Sequence, residues 1–252
     1  MIDTHCHLFK EYYDNIDIII KKMESNIMIV SGTDNESNLE VIDICNKYPN
    51  VYGTIGLHPT EIYKINEKSY KIIEDNINNP KIVGIGEIGL DYYWNSNDKE
   101  KQKEIFIKQI LLAKKYNKAI VVHSREAIND TYTILKQYAK DIKIDVHCFS
   151  GSLEMAQSLI KIGARLGIGG VLTFKNNSKL INIVKNIDLN NLLLETDSPF
   201  LSPEPLRGKQ NQPYNIIYVA QKIAEIKNIN LEEVLKITTI NAISQFDLNI
   251  DL

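Results

Sequence analysis

A chain of 252 residues can bury a sizeable core, and a make-up of 44% hydrophobic and 24% charged residues is ordinary for a globular protein. The formal charge of -3 excludes a generally basic surface that would coat nucleic acid, leaving only local basic patches. No segment approaches the ~20 apolar residues that a membrane-spanning helix needs.

Short β-branched runs alternate with helix-patterned stretches along the chain. The first predicted strand, 2–7, carries Ile2-Asp3-Thr4-His5-Cys6-His7, and a weaker one covers 27–31. A third, 51–57, runs into Gly56-Leu57-His58-Pro59, where the proline ends the strand. The fourth, 82–88, is apolar and glycine-rich around Glu87. A helix is predicted over 98–117, with Phe106, Ile110 and Ala113 on one face beside Ile107 and Leu111. Strands at 119–123 and 143–147 end in His123 and His147; further strands are expected at 165–169 and 192–196, the last running into Asp197. A helix over 231–242 opens with Asn230 and Glu233 in a capping pattern.

Strand–helix alternation repeated eight times is the signature of a closed parallel barrel. The expected fold is therefore α/β, a (β/α)8 TIM barrel, with residues 1–252 as one domain. An open doubly wound sheet would usually carry a Gly-rich phosphate loop after its first strand, where this chain has His-Cys-His. No Gly/Pro/Ser-rich linker divides the chain. Abundant Lys, Asn and Ile beside only three arginines (Arg125, Arg165, Arg207) read as a genome-composition bias. Three cysteines (Cys6, Cys45, Cys148) form no Cys-x-x-Cys pair, and the segment from Met1 has no leader pattern. A reducing, cytoplasmic location is the expectation.

All five histidines sit in motifs that read as parts of a metal site, four of them closing apolar strand-like runs. In such a barrel chemistry gathers where strands end, so these distant residues converge on one mouth. His5 and His7 are two apart and share a strand face, which lets both grip one ion; a buried pair of imidazoles without a partner would be costly. The same parity turns Cys6 away from the site, and Cys148 next to His147 with it; both read as small buried hydrophobes. Glu87 in its apolar strand needs a partner, which a metal supplies, and Gly84, Gly86 and Gly89 permit close backbone approach. His123 and His147 point to a second ion. Asp197 is the stronger ligand candidate of its strand, with Glu195 behind it as a partner for a nearby base. For His58, substrate contact is favoured over metal ligation. Arg125 and Arg207 suit bidentate phosphate contact, whereas Arg165 reads as structural. Tyr92, Tyr93 and Trp94 either stack on substrate or cap the core.

Taken together, Asp3-Thr4-His5-Cys6-His7, Gly56-Leu57-His58-Pro59, Gly86-Glu87-Ile88-Gly89-Leu90-Asp91-Tyr92, His123-Ser124-Arg125, His147-Cys148-Phe149-Ser150-Gly151, Glu195-Thr196-Asp197-Ser198-Pro199 and Arg207-Gly208-Lys209 resemble the TatD family of metal-dependent deoxyribonucleases. The resemblance spans nearly the whole chain in order, closing with Thr239-Ile240-Asn241-Ala242. It implies two divalent cations (Mg2+, Mn2+ or Zn2+), with His5, His7 and Asp197 holding one, His123 and His147 the other, and Glu87 bridging. It further implies hydrolysis of DNA phosphodiester bonds by a metal-activated water, as 3′→5′ removal of nucleotides from single-stranded or frayed ends. Glu87 and Asp197 would be catalytic, with Arg125, Arg207, Lys209 and His58 on the substrate. No membrane and no obligatory protein partner is expected. The nearest rival is a metal-dependent hydrolase of a small ester, lactone or amide on the same barrel, and a non-catalytic metal- or DNA-binding scaffold is the third reading. The loops 91–97 and 200–213 would discriminate the two enzymes, since a nuclease needs an open groove and a small-molecule enzyme a closed pocket.

Overall fold

The computed structural model describes residues 1–23, 25–94 and 96–250. Eight parallel strands follow one another in chain order around a single sheet: β1 (Ile2–Cys6), β2 (Ile27–Ser31), β3 (Val51–Ile55), β4 (Ile82–Asp91), β5 (Ala119–Arg125), β6 (Ile144–Val146), β7 (Ala164–Ile168) and β8 (Leu192–Leu194). The helices between and after them are α1 (Ile16–Lys22), α2 (Asn35–Lys47), α3 (Glu67–Asn76), α4 (Lys99–Lys115), α5 (Ile128–Tyr138), α6 (Leu153–Lys161), α7 (Ser178–Asn186), α8 (Ile216–Lys227) and α9 (Leu231–Phe246). The fold is the (β/α)8 barrel expected from the alternation. Among the described residues no helix is long and apolar enough to cross a membrane.

The barrel closes between β8 and β1 through the segments that carry the site. Cys6 and Ser198 form a parallel bridge. The Asp197 N–H donates to the His5 carbonyl at 3.0 Å, and the His7 N–H to the Ser198 carbonyl at 2.7 Å. Just below, the fully buried Asp3 carboxylate accepts from the Thr196 hydroxyl at 2.6 Å and the Thr196 N–H at 3.0 Å. The aspartate of the first motif is thus a seam between the first strand and the last.

Strand parity sorts the apolar residues into two layers. Met28, Val30, Ile55, Ile120, Val122, Ile144, Leu166 and Leu194 join the large core that packs strands against helices. Ile29, Tyr52, Val83, Val121 and Leu193 form a separate cluster closed by Ala242 and Phe246 of α9. Ile29, Tyr52, Val121 and Leu193 share the parity of Ser31, Thr54, His123 and Glu195, so they plug the interior beneath the polar residues of the mouth; in β4, register shifts on either side of Ile85 break the alternation between Val83 and Glu87.

Several sequence expectations change in detail. β4 and β5 run past Glu87 and His123 to Asp91 and Arg125, while β6 and β8 stop at Val146 and Leu194, before His147 and Glu195. There the backbone leaves the ladder, and Cys148 (φ 47°) and Asp197 (φ 52°) adopt the left-handed region. Parity no longer governs Cys148: its side chain is half-buried and lines the same cavity as His147. Cys6 is fully buried in the core between strands and helices. In α4, Phe106, Ile110 and Ala113 are fully buried, but Leu111 lies 50% exposed. Asn230 does stand at the N-cap of α9, yet its side chain makes no capping bond; Glu232 and Glu233 of the first turn offset the helix dipole instead. The discriminating loop 91–97 includes Asn95, which lies outside the described residues.

Candidate metal centre

The ends of β1, β3, β4, β5, β6 and β8 bring His7, His58, Glu87, His123, His147 and Asp197 to the wall of one cavity of about 1010 Å3, with the fully buried His5 beside Glu87 and Asp197. Glu87 stands at its centre, and its two oxygens divide the histidines. Oε2 faces His5 Nε2 at 3.4 Å and His7 Nε2 at 3.7 Å. Oε1 faces His123 Nδ1 at 2.8 Å, His58 Nε2 at 3.4 Å and His147 Nε2 at 3.6 Å. Asp197 Oδ1 lies 3.4 Å from His7 Nε2 and 3.7 Å from His5 Nε2.

Neighbouring groups hold several of these rings. The Nδ1–H of His7 donates to the Ser31 carbonyl at 2.9 Å. A carbonyl can only accept, so Nδ1 keeps its proton and Nε2 turns into the cluster. His5 Nδ1 lies 3.1 Å from Ser31 Oγ, which in turn receives the Thr54 hydroxyl at 2.9 Å. His147 stacks on His5 with centroids 3.7 Å apart, and its Nδ1 faces Glu195 at 3.3 Å. Glu195 also accepts the Cys148 N–H at 2.7 Å, tying the loop after β6 to the end of β8. His58 differs: its Nδ1 accepts from the Thr60 N–H at 3.3 Å, so the proton sits on Nε2 and points at Glu87.

The buried carboxylates and imidazoles shift one another's titration. Burial alone would raise the Glu87 carboxyl, but the charges of His58 and His147 and bonds from His123 and His5 hold it well below the usual range. Asp197 is likewise lowered against its burial, through His7 first. Burial works to lower His147, yet Glu195 and Glu87 push it well above the ordinary imidazole value. His7 and His123 are raised against burial in the same way, by Asp197 and by Asp91. Burial lowers His5 and His58, helped by the charges of His147 and His123. Ionised carboxylates are therefore balanced by protons on rings that could instead bind a cation.

The donor set fits divalent metal. His5, His7 and Glu87; His5, His147 and Asp197; and His58, Glu87 and His123 each offer three ligand atoms within 4.8 Å of one another. The Nε2 atoms of His5 and His7 stand 3.2 Å apart. That is close to the edge of a tetrahedron around an ion with bonds of ~2.0–2.1 Å.

Two supports escaped the sequence reading. Asp91 holds His123 from the far side, with Oδ2 3.0 Å from Nε2, while its Oδ1 accepts the Tyr93 and Trp94 N–H groups at 2.9 and 2.8 Å. Gln102 and Gln109, two turns apart on α4 and fully buried, brace the strand ends. Gln109 pairs with both the N–H (2.8 Å) and carbonyl (3.0 Å) of Leu57, and Gln102 pairs with those of Asp91 at 2.8 and 2.9 Å. The signal was present as two amides on the apolar face of a helix.

Of the predicted cationic contacts, only Arg125 lines the cavity, its guanidinium 4.0 Å over the Tyr93 ring. Arg207 and Lys209 are exposed on the loop after β8, Arg207 lying 3.7 Å over Phe174, and neither lines the cavity wall. Arg165 bonds the Asn190 carbonyl and Gln245, away from the mouth.

An imidazole–carboxylate cluster at the C-terminal mouth of a (β/α)8 barrel is the arrangement of a metal-dependent hydrolase. The profile of the family described as TatD related DNase matches residues 2–247, and the chain belongs to that family. It is 40% identical to the uncharacterized metal-dependent hydrolase YabD of Bacillus subtilis (strain 168), over 99% of this chain and 100% of that protein. Among solved structures it is similar to YJJV, a TatD homolog from Escherichia coli K12, with TM-score 0.92, 28% identity and 98% of each chain covered. A hydrolase TatD family protein from Entamoeba histolytica aligns with TM-score 0.86 and 26% identity, over 98% of this chain and 97% of that one.

Proposed function

We propose that this hydrolase is a divalent-metal-dependent deoxyribonuclease that removes nucleotides 3′→5′ from single-stranded or frayed DNA ends. The observation that carries the reading is the central position of Glu87, one oxygen toward His5 and His7 and the other toward His123 and His147. That division supports two ions, one held by His5, His7 and Asp197, the other by His123 and His147, with Glu87 between them. When bound, such a pair lowers the pKa of water and offsets charge on phosphate oxygens.

The chain's own residues do the rest. Asp197, ionised and facing the cavity, accepts the proton of the attacking water. Glu195 and Asp91 keep the rings of His147 and His123 in place. The Nε2–H of His58 and the guanidinium of Arg125 hold non-bridging phosphate oxygens.

Glu87→Gln tests the reading directly. With labelled single-stranded oligonucleotide and Mg2+ or Mn2+, hydrolysis should fall by more than ~100-fold, the upper end of what losing even an outer partner of a metal ligand costs. Parental activity in that variant removes the bridging role. A second reading, a small ester or lactone as substrate, draws on the apolar side of the cavity, where Phe9, Phe149 and Phe200 stand. Faster turnover of such esters than of any phosphodiester would select it. Elemental analysis of protein purified without chelator identifies the metal.

A further inference from the structure

The cavity mouth is chemically lopsided. On the flank built by the loops after β4 and β5, Trp94 is 65% exposed and Tyr93 50% exposed. Their rings meet edge-on at 4.8 Å, and the Arg125 guanidinium lies 4.0 Å over Tyr93 and 5.6 Å from Trp94. Lys179 lines the neighbouring sector. The opposite flank, formed by the segments after β1, β2 and β3, presents Glu11, Asp34, Glu36, Glu40 and Glu61 to the same cavity. Among the described residues only Glu61 of these five forms an ion pair, with Lys64 at 2.6 Å.

Large aromatic faces left in water beside a guanidinium suit the bases and phosphates of a single strand, because every base has a π-face and stacking tolerates any sequence. Carboxylates within a Debye length of about 8–10 Å repel a phosphate backbone. A scissile diester seated over Glu87 has chain on both sides, and the two flanks treat those sides oppositely.

We propose that the mouth admits single-stranded polynucleotide by one arm only: the strand lies over Trp94 and Arg125, and the flank of Glu11, Asp34, Glu36 and Glu40 stops backbone beyond the scissile phosphate. The inference rests on the nuclease reading and deepens it, since it makes a free end a requirement imposed by charge. A closed circle must pass backbone over both flanks and is refused.

The experiment uses the metal-loaded protein and three probes: a linear single-stranded 30-mer, a closed circle of the same sequence, and the chromogenic diester bis(p-nitrophenyl) phosphate, which carries a diester but no polynucleotide backbone. The wild type should cut the line at least ~100-fold faster than the circle. Glu11→Gln/Glu36→Gln/Glu40→Gln should narrow that ratio by ~10-fold or more, through faster cutting of the circle. Trp94→Ala should raise KM for the 30-mer ~10-fold more than KM for the chromogenic diester. These factors are the size expected for losing one stacked base or a few screened charges. A line-to-circle ratio unmoved by the triple variant overturns the inference while leaving the exonuclease; equal rates on line and circle in the wild type overturn the inference and the exonuclease mode together, leaving a nuclease. Failure to hydrolyse any of the three probes overturns both readings.

Discussion

The carboxylate of Glu195 occupies the space that a Cβ on Gly167 would claim: an ideal Cβ there would stand 2.2 Å from Glu195 Oε2. The glycine of β7 is therefore what lets the acid just past β8 reach across to His147 and the Cys148 N–H. Gly167→Ala should push Glu195 aside and release both partners. Metal affinity should drop about 10–100-fold, as when an outer partner of a ligand is lost. Titration calorimetry checks it, and wild-type affinity in a folded variant would contradict the role given to Glu195.

The glutamines of α4 make a second forecast. Gln109→Leu keeps the volume but leaves the N–H and carbonyl of Leu57 without their partner in a buried setting. Each orphaned group costs about 1–3 kcal/mol, so with two of them urea denaturation should show a loss of about 2–6 kcal/mol. Gln102→Leu should do the same through Asp91 and also loosen His123. Its metal affinity should suffer more than that of Gln109→Leu.

Proton and metal compete for the same rings, so pH should act in opposite directions on the metal-free and metal-loaded protein. His147, His7 and His123 have raised folded pKa values. Their contribution to stability is full below ~6.5, the unfolded value, and is lost as pH climbs through the raised folded values. Glu87 and Asp197 are lowered, so their contribution is present above the ordinary carboxylate range and vanishes only in stronger acid. The Tm of the metal-free protein should therefore fall from pH 6 toward pH 9. Over that same interval the Kd for Zn2+ or Mn2+ should tighten, because fewer protons need displacing. Calorimetric scans with and without metal measure both trends; a metal-free Tm that rises with pH contradicts the assignment.

Asp145 offers a fourth test. It is fully buried beneath His147, and neither oxygen has a hydrogen-bond partner among the described residues. Burial, then the charge of Glu195, raises its carboxyl well above the ordinary value. A raised carboxyl binds a proton in the folded state that the unfolded state has shed, so stability falls as pH rises above ~3.9 toward the folded value. Asp145→Asn removes that penalty, and its Tm gain should be larger at pH 8 than at pH 4. An equal gain at both would refute it.

Much of this centre was legible because strand periodicity is rigid. The two-residue spacing of His5 and His7 and the apolar surroundings of Glu87 named residues that the folded chain brings within 4 Å of one another. Legibility failed where the chain leaves the ladder. At Cys148 a left-handed residue broke the alternation, and the residue joined the lining of the cavity. It failed again where contacts come from another element: nothing local to Leu57 or Asp91 announces that a helix dozens of residues away, or eleven on, will hold them. Proximity in sequence to Asp197 also said nothing of where Arg207 and Lys209 stand: both are exposed on the loop after β8, outside the lining of the cavity.

The seam between Asp3 and Thr196 joins residues 193 positions apart. A ribosome that has made His5 and His7 must still add 190 residues, 8–197, before Asp197 exists to stand beside them. The complete centre therefore comes together late in synthesis, when the last strand has been made and the cylinder shuts against the first.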